Sequence, residues 1–526
     1  MKSFIEKHSK YFKTLLSIVG GFAFSLGYPN TYNIDPSFYL SIVGWFTLSF
    51  LFRISSSKEI VFINFIFCLT FYFGVFSWIH VGLRNFNIFH PQLNFLFDGL
   101  LFIYQTFHLL LIPLAIILLS RIKSKALQQI VIPVILAGSE LIFTQLFPTN
   151  IGGVFIDVPW LLGAVEYGGI YFYSFILYYF FILVVTKENM KTILCAFSVL
   201  IISLFVLKTV EPSKSNKSFK PLKIRMSQTG VINYFPHGDD NEKNWIFKNQ
   251  TYSEIVDSFS SGLENIDFHI LGETFYPYDD FSLLGKEINY PEKLKSFFKK
   301  PQETIVGSLL REDIEGRSYR SGVAHIINAR ETSSNSTYKK LLVPLAEDFP
   351  SFRVLDLLNE GQPSHKRFLT GRVEESKNHF KTISGYSYGL FICWEILFPH
   401  FMQSSSMKEN KIDFIVNIAN ESFFQSTSEL ALHLYLARFR SLEFGVPVLK
   451  VSRTGITAYI EEGKIIKKIN QGEVDHLDIS INKKREDRTV FHRYGLLGSF
   501  ALGLIYLFFV NGSLIGWKFL IRKKHA

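Results

Sequence analysis

Seven apolar segments, each near the length a helix needs to cross a bilayer, crowd into the first two-fifths of the chain. They run at about 12–28, 36–53, 59–80, 96–120, 127–147, 168–186 and 192–209, and an eighth follows at about 496–519. Roughly 20 apolar residues span a hydrocarbon core as a helix. Composition agrees with this pattern: 48% of the 526 residues are hydrophobic and only 19% are charged, where a soluble domain carries about a quarter charged. Lys2, Lys7, Lys10 and Lys13 give the first segment the flank of a signal peptide. Six further spans behind it make an uncleaved first helix the better reading.

The net charge of +10 does not point to nucleic acid, because no basic patch interleaves with a nucleic-acid module. The basic residues sit at the ends of the apolar segments instead. The N-terminus, Arg53 with Lys58, Arg121 with Lys123 and Lys125, Lys187 with Lys191, and Arg522-Lys523-Lys524 all fall on one side, while Arg84 is the main basic residue of the opposite loops. The positive-inside rule puts both termini in the cytoplasm and the long polar segment outside. The expected organisation is a helical membrane domain over 1–210, a linker over 211–221, an extracytoplasmic domain over 222–487, and a last span with a basic tail over 488–526.

Within the polar segment, Phe268–Leu271, Tyr388–Ile392, Phe414–Ile418 and Val446–Leu449 read as buried strands. Ser428 to Phe444 has helical periodicity, with Leu430, Leu434 and Ala437 on one side. Ala458–Ile460 and Ile465-Ile466 flank a hairpin turn. Strands and helices so mixed indicate a layered α/β domain.

Three residues in that domain bear chemistry. Cys68 and Cys195 lie in apolar runs and read as small buried hydrophobes, but Cys393 ends a strand-like run. If the chain turns there from strand to helix, the thiol is exposed and helix-terminal amides favour its thiolate; the alternative is one more structural cysteine. Glu273, just after a strand, has the chemistry of a general base, though surface loops hold many glutamates. Lys339 has the charge to stabilise a developing oxyanion, and neighbouring Lys340 competes for that place. No Gly-rich phosphate loop and no metal-spaced His/Cys cluster is present, so neither a cofactor nor a metal is expected.

In this order the three residues resemble the Glu-Lys-Cys triad of the nitrilase superfamily. A nitrilase-like domain between seven spans and one resembles the apolipoprotein N-acyltransferase family across essentially the whole chain. Gly74-Val75-Phe76-Ser77-Trp78 and the stretch from Glu140 to Phe147-Pro148 are looser matches in the helical part. The resemblance implies about eight transmembrane helices carrying an αββα sandwich. It makes Glu273, in Glu-Thr-x-x-Pro, the general base. Lys339, three residues before Leu342, becomes the oxyanion-stabilising lysine, and Cys393, in Ile-Cys-Trp-Glu-Ile-x-Phe-Pro, the nucleophile. Glu347 and Glu395 match supporting acidic residues, with Trp394 in place of a more usual tyrosine. Gln228 begins a first-strand match, Trp245 matches a tryptophan near the acyl-binding region, and Trp245, Phe398 and Phe423 are the candidate substrate-binding residues. Phe398, Phe423 and Phe424 are also candidates to line a lipid-facing site that excludes water, with ordinary core packing the alternative. Asn417, Asn420, His433, Arg438, Arg440, Glu443, Gly445 and Pro447 fit the following strand and helix. The departures are Glu421 for an aspartate, Lys450 and Arg453 for an arginine and an asparagine, and Ala346 for a glycine.

The activity implied is acyl transfer from a membrane phospholipid to the N-terminal amine of a diacylglyceryl-cysteine lipoprotein, by a multi-pass enzyme of the bacterial cytoplasmic (inner) membrane, expected to be a monomer. Two other readings compete. The same triad serves a membrane-tethered amidase that uses water. A transporter or receptor with an external domain would place Glu140 and Glu166 on a pathway, but it has no need of the triad.

Overall fold

The computed structural model describes residues 2–86, 91–143, 145, 147–209, 220–230, 257–275, 301–314, 317–328, 335–343, 347, 367–368, 377–403, 410–424, 427–483 and 487–524. Trp245 and Ala346 lie outside them, as does the side chain of Phe423.

The first part of the chain is helical. Its described helices are α1 (Lys2–Ser25), α2 (Phe38–Ile54), α3 (Ser57–Phe76), α4 (Trp78–Phe86), α5 (Pro91–Leu119), α6 (Lys125–Ile142), α7 (Val165–Val185) and α8 (Met190–Thr209). Five described stretches are long and apolar enough to cross a membrane: Ser57–Phe76, Asp98–Leu118, Lys125–Ile142, Pro159–Val185 and Met190–Thr209. Phe38–Ile54 and Leu496–Val510 are apolar but shorter. Small residues let the helices approach closely. A Cβ on Gly44 would stand 2.4 Å from Gly20 O and from Phe24 N, so α1 and α2 meet backbone to backbone. Around that contact Phe24 packs on Trp45, Phe67 and Phe71, and the Trp45 indole donates to Leu177 O at 3.0 Å.

Between α6 and α7 the chain forms two 3-10 turns, Ile151–Asp157 and Pro159–Ala164. Helix α7 then breaks at Gly169 (φ +57°, ψ −166°). Only glycine fits there, because a Cβ would lie 2.4 Å from the Phe491 ring in a left-handed conformation. The break frees the Ile170 N–H, which donates to Glu443 Oε1 at 2.9 Å.

The second part builds two sheets. In the first, β1 (Leu222–Gln228) lies between β13 (Asp475–Ile481) and β2 (Phe268–Leu271). The sheet continues through β3 (Glu303–Ile314) and β4 (Arg317–Asn328) to β5 (Asn335–Tyr338), with β6 (Arg367–Phe368) also on β4. The second runs β12 (Lys464–Ile469), β11 (Thr457–Glu461), β10 (Val448–Ser452), β9 (Phe414–Ala419), β8 (Ser387–Ile392) and β7 (His379–Lys381). Strands β8, β9 and β10 pair in parallel.

Alternation along each strand separates two cores. Tyr388, Leu390 and Ile392, with Phe414, Val416, Ile418, Leu449 and Val451, face Ile224, Met226, Phe268 and Ile270 of the other sheet. Phe391, Ile415 and Val448 point the other way, into a core shared with Leu432 and Leu436 of α9 (Ser428–Glu443) and with the N-terminal helices. Helix α9 is therefore sandwiched between a sheet and the helical bundle. Near the C-terminus, α10 (Leu496–Lys524) returns alongside α7.

Candidate active site

Strand β8 ends at Ile392, and Cys393 opens the 3-10 turn Cys393–Leu397 with φ +53°. A left-handed backbone is costly for a residue with a Cβ and persists only where its surroundings over-determine it. Here two side chains do so. Asn417 Nδ2 donates to Cys393 O at 2.8 Å and to Phe391 O at 3.2 Å. The Glu395 carboxylate accepts the Ile392 N–H at 2.8 Å. The sharp turn leaves the Cys393 side chain partly exposed at the carboxyl end of its strand.

Glu273 follows β2, and Lys339 follows β5. Lys339 Nζ lies 3.3 Å from Glu273 Oε1 and 2.7 Å from Glu347 Oε1, with Lys339 and Glu273 buried. The other Glu273 oxygen accepts the Asn420 N–H at 2.9 Å. Two glycines make the room: a Cβ on Gly307 would stand 2.5 Å from Glu273 Cα, and one on Gly322 would stand 3.3 Å from Lys339 Cβ.

Burial raises the Glu273 carboxyl above its ordinary 4.5, against the pull of Lys339. Burial also raises the Cys393 thiol, opposed by the Lys339 charge and reinforced by Glu273, Glu347 and Glu421. Lys339 itself is pulled down by burial, but Cys393, Glu273 and Glu347 outweigh that and keep it firmly cationic. A carboxylate with raised proton affinity, a fixed cation and a strand-end thiol thus act on one another, the combination that moves a proton off sulfur and steadies a new anion.

The two adjacent lysines diverge. Lys340 Nζ donates to Asn378 Oδ1 at 2.7 Å, away from Glu273. Its backbone N–H and that of Leu341 donate to Glu395 Oε1 at 2.6 and 3.2 Å, and the Trp394 indole donates to Leu341 O at 3.0 Å. Glu395 and Trp394 therefore lash the segment after β5 to the cysteine turn. Burial lifts Glu395 to about 7, although three N–H groups draw it down. Glu347 closes its own turn by accepting the Val343 N–H at 2.9 Å. Phe398 packs on Trp394, which itself packs on Phe147 of the helical part, and Phe424 packs edge-on to Trp78.

Sequence reasoning overlooked Thr274 and the two glycines. Thr274 takes φ +52°, its O accepts from Arg453 Nη1 at 2.7 Å, and its hydroxyl meets Asn420 Nδ2 at 2.6 Å. A glycine inside each of the paired strands β3 and β4 was the available signal, since strand glycines mark close approach.

Residues 253–485 match the family model of carbon-nitrogen hydrolases. The strand-end cysteine on a two-sheet α/β body thus belongs to that class, here joined to a bundle of apolar helices. Residues 20–183 match the N-terminal domain model of apolipoprotein N-acyltransferase. The chain is 23% identical over 538 aligned positions to the apolipoprotein N-acyltransferase of Haemophilus influenzae, covering 96% of this chain and 95% of that one. Its likeness to the Rickettsia prowazekii apolipoprotein N-acyltransferase is 26% over 371 positions, 68% of this chain and 70% of the relative. Among solved structures, Saccharomyces cerevisiae Nit3, of the nitrilase superfamily, aligns with 50% of this chain and 90% of its own at 16% identity and a TM-score of 0.35. The chain thus carries an apolipoprotein N-acyltransferase N-terminal domain followed by a carbon-nitrogen hydrolase domain, and over nearly its whole length it is similar to apolipoprotein N-acyltransferases.

Proposed function

We propose that this protein transfers an acyl chain from a membrane phospholipid to the N-terminal amine of the diacylglyceryl-cysteine of lipoproteins, through a thioester on Cys393. The observation that carries this reading is the buried Glu273–Lys339 pair acting on a strand-end cysteine, in a domain seated on apolar helices. Both substrates are lipid-anchored, so a site held at the bilayer meets them at high effective concentration.

Glu273 takes the Cys393 proton, and the thiolate attacks the ester carbonyl. Lys339 faces the tetrahedral oxyanion, which collapses as the carbon–oxygen bond breaks. Glu273 returns the proton to the departing lysophospholipid. The lipoprotein amine then attacks the thioester and loses a proton to Glu273. The carbon–sulfur bond breaks and Glu273 passes that proton to the departing sulfur, leaving an amide, the free thiol and the ionised base. Glu347 holds Lys339 on its other side, and Glu395 with Trp394 fixes the cysteine turn. Phe398 and Phe424 belong to the acyl-binding surroundings, and the family resemblance gives Trp245 and Phe423 the same role. In this reading the chain crosses the bacterial inner membrane eight times, over the seven N-terminal segments and 496–519. The domain over 222–487 lies outside, both termini lie in the cytoplasm, and the protein works as a monomer.

The test is the intact mass of the detergent-purified protein after incubation with phospholipid and no acceptor. A gain of one acyl chain, reversed by hydroxylamine and absent in Cys393→Ala, supports the thioester. Addition of a diacylglyceryl peptide must then clear the adduct and acylate the peptide. Clearance by water alone would make the protein a hydrolase, and a folded wild type that gains no mass would overturn the reading.

A further inference from the structure

Behind the Asn420 turn lies a second group of buried charges that the transfer chemistry does not use. Lys450, on β10, points its side chain towards α9 and sits 2.8 Å from both oxygens of Glu421, with a third bond to Ile456 O at 3.1 Å. His433 Nδ1 lies 2.8 Å from Glu421 Oε1 and 3.7 Å from Glu429 Oε1. All four side chains are at most 2% exposed. Glu421, Glu429 and His433 have the spacing of a cation site, but the Lys450 ammonium already occupies both Glu421 oxygens. The cation of this cluster is therefore a side chain.

The charges settle accordingly. Burial opposes ionisation of Glu421, but Lys450 and His433 outweigh it and hold Glu421 at about 2. Burial and the Glu421 charge push Glu429 far up, so it stays neutral. Burial and Lys450 likewise keep His433 neutral. One ion pair remains, closed off from solvent, and it is tightly packed: a Cβ on Gly455 would collide with Glu421 Oε2.

Glu421 is covalently next to Asn420, whose N–H holds Glu273 Oε2 and whose amide holds the Thr274 hydroxyl. We infer that the Lys450–Glu421 ion pair is a positioning device for acyl transfer: it fixes the Asn420 turn and, through it, the carboxylate that takes the Cys393 proton. Glu421 and Lys450, which the sequence shows as two separate departures, are one matched pair, the longer acid reaching the shorter base. Displacing a catalytic group by about 1 Å costs on the order of 10²-fold in rate.

This rests on the proposed thioester chemistry, and the test separates the two. The rate constant of Cys393 acylation and the half-saturating phospholipid concentration are measured by intact mass for full-length wild type, Glu421→Asp, Lys450→Arg and the double variant. Thermal midpoints are taken alongside. Each single change mismatches the reach of the pair and is expected to slow acylation about 10-fold to 10²-fold at unchanged half-saturation and with the fold retained. The double change restores the reach and returns the rate to within about threefold of wild type. Singles that acylate at the wild-type rate overturn the inference. So do a double variant that is unfolded or no faster than the slower single, and rate losses that merely follow the thermal midpoint. A wild type that never acylates sinks the thioester reading instead.

Discussion

The two halves of this molecule bury different chemistry. The N-terminal helices bury mostly rings and bare backbone: Phe24, Trp45, Phe67 and Phe71 interlock, and Gly20 and Gly44 let α1 and α2 touch, while the buried Glu140 is held locally by Asn150 and the Ile151 N–H. The sheet-built half buries a dense set of titratable side chains, including Glu273, Lys339, Glu395, Glu421, Glu429, His433 and Lys450, all within 5% exposure. In the helical half, stability is spread largely over many weak contacts. In the other half, each buried charge depends on one or two partners, and removing either leaves the other stranded. Function should therefore be brittle at a few atoms of the second half and tolerant across the first.

The sharpest check of that contrast is at the triad positions. Cys393→Ala is expected to abolish the acyl adduct. Glu273→Gln should slow its formation by about 10²-fold to 10⁴-fold, the range for a lost general base. Lys339→Met, which strands both Glu273 and Glu347, should cost a similar factor through the oxyanion. Single-turnover intact-mass kinetics read all three. If any of them, folded, acylates within threefold of wild type, the contrast between the halves fails where it is strongest.

The pH dependence is the next largest effect. In the proposed mechanism Glu273 must be ionised to accept the thiol proton, and burial raises its proton affinity above the ordinary carboxylate value of 4.5. As pH falls through that raised value, the base becomes protonated and acylation is lost, so the acid limb lies above 4.5. Cys393 is raised as well, so direct alkylation of the thiol by iodoacetamide should keep accelerating into the alkaline range. Glu273→Gln should remove the acid limb from the acylation profile. A wild-type limb centred at or below 4.5 would show that the carboxyl is not held in a desolvated site.

How much of this was readable in advance follows the same division. The helices leave their mark directly in the sequence, because an apolar run of helical length needs no partner to be recognised. Strands β2, β8 and β9 and helix α9 were equally plain, since the alternation and the periodicity are local. Which lysine meets Glu273 was not. Lys339 and Lys340 are neighbours with the same chemistry, and the choice is made by pairing across the sheet, where the Lys339 N–H donates to Gly322 O and Glu395 captures the Lys340 N–H. The link between Glu421 and Lys450 was hidden for the same reason: 29 residues separate them, and the parallel pairing of β9 with β10, with Glu421 just past the end of β9, brings them together. Partners in space leave no mark on a single sequence.

The helical half should give smaller effects. Trp45→Phe keeps a ring among Phe24, Tyr178 and Phe181 but loses the indole bond to Leu177 O. The expected loss is about 1 kcal/mol of stability, seen as a lower midpoint of heat inactivation, with the acylation rate of the surviving protein unchanged. A tenfold rate loss in this variant would mean that the bundle tunes the chemistry and does not simply carry it.

The smallest effect is expected at the seam, where the contrast can be tested within one side chain. Tyr435 stands on α9, on the helix that also carries His433, yet its hydroxyl lies 3.0 Å from Gly27 O and 2.9 Å from Gly153 O, both in the helical half. One proton serves two carbonyls, so Tyr435→Phe removes a single shared hydrogen bond while the ring stays beside Tyr28. Other ties across the seam remain, among them Arg438 to Asp157 at 2.7 Å and Glu443 to the Ile170 N–H. The cost should stay near 1 kcal/mol, and the acylation rate should move by less than about threefold. If the seam merely seats one half on the other, combining Tyr435→Phe with Glu421→Asp gives additive losses, as expected for sites without a shared partner. If the combined loss departs from additivity by tenfold or more, α9 transmits strain from the bundle to Asn420 and Glu273, and the two halves form a single mechanical unit.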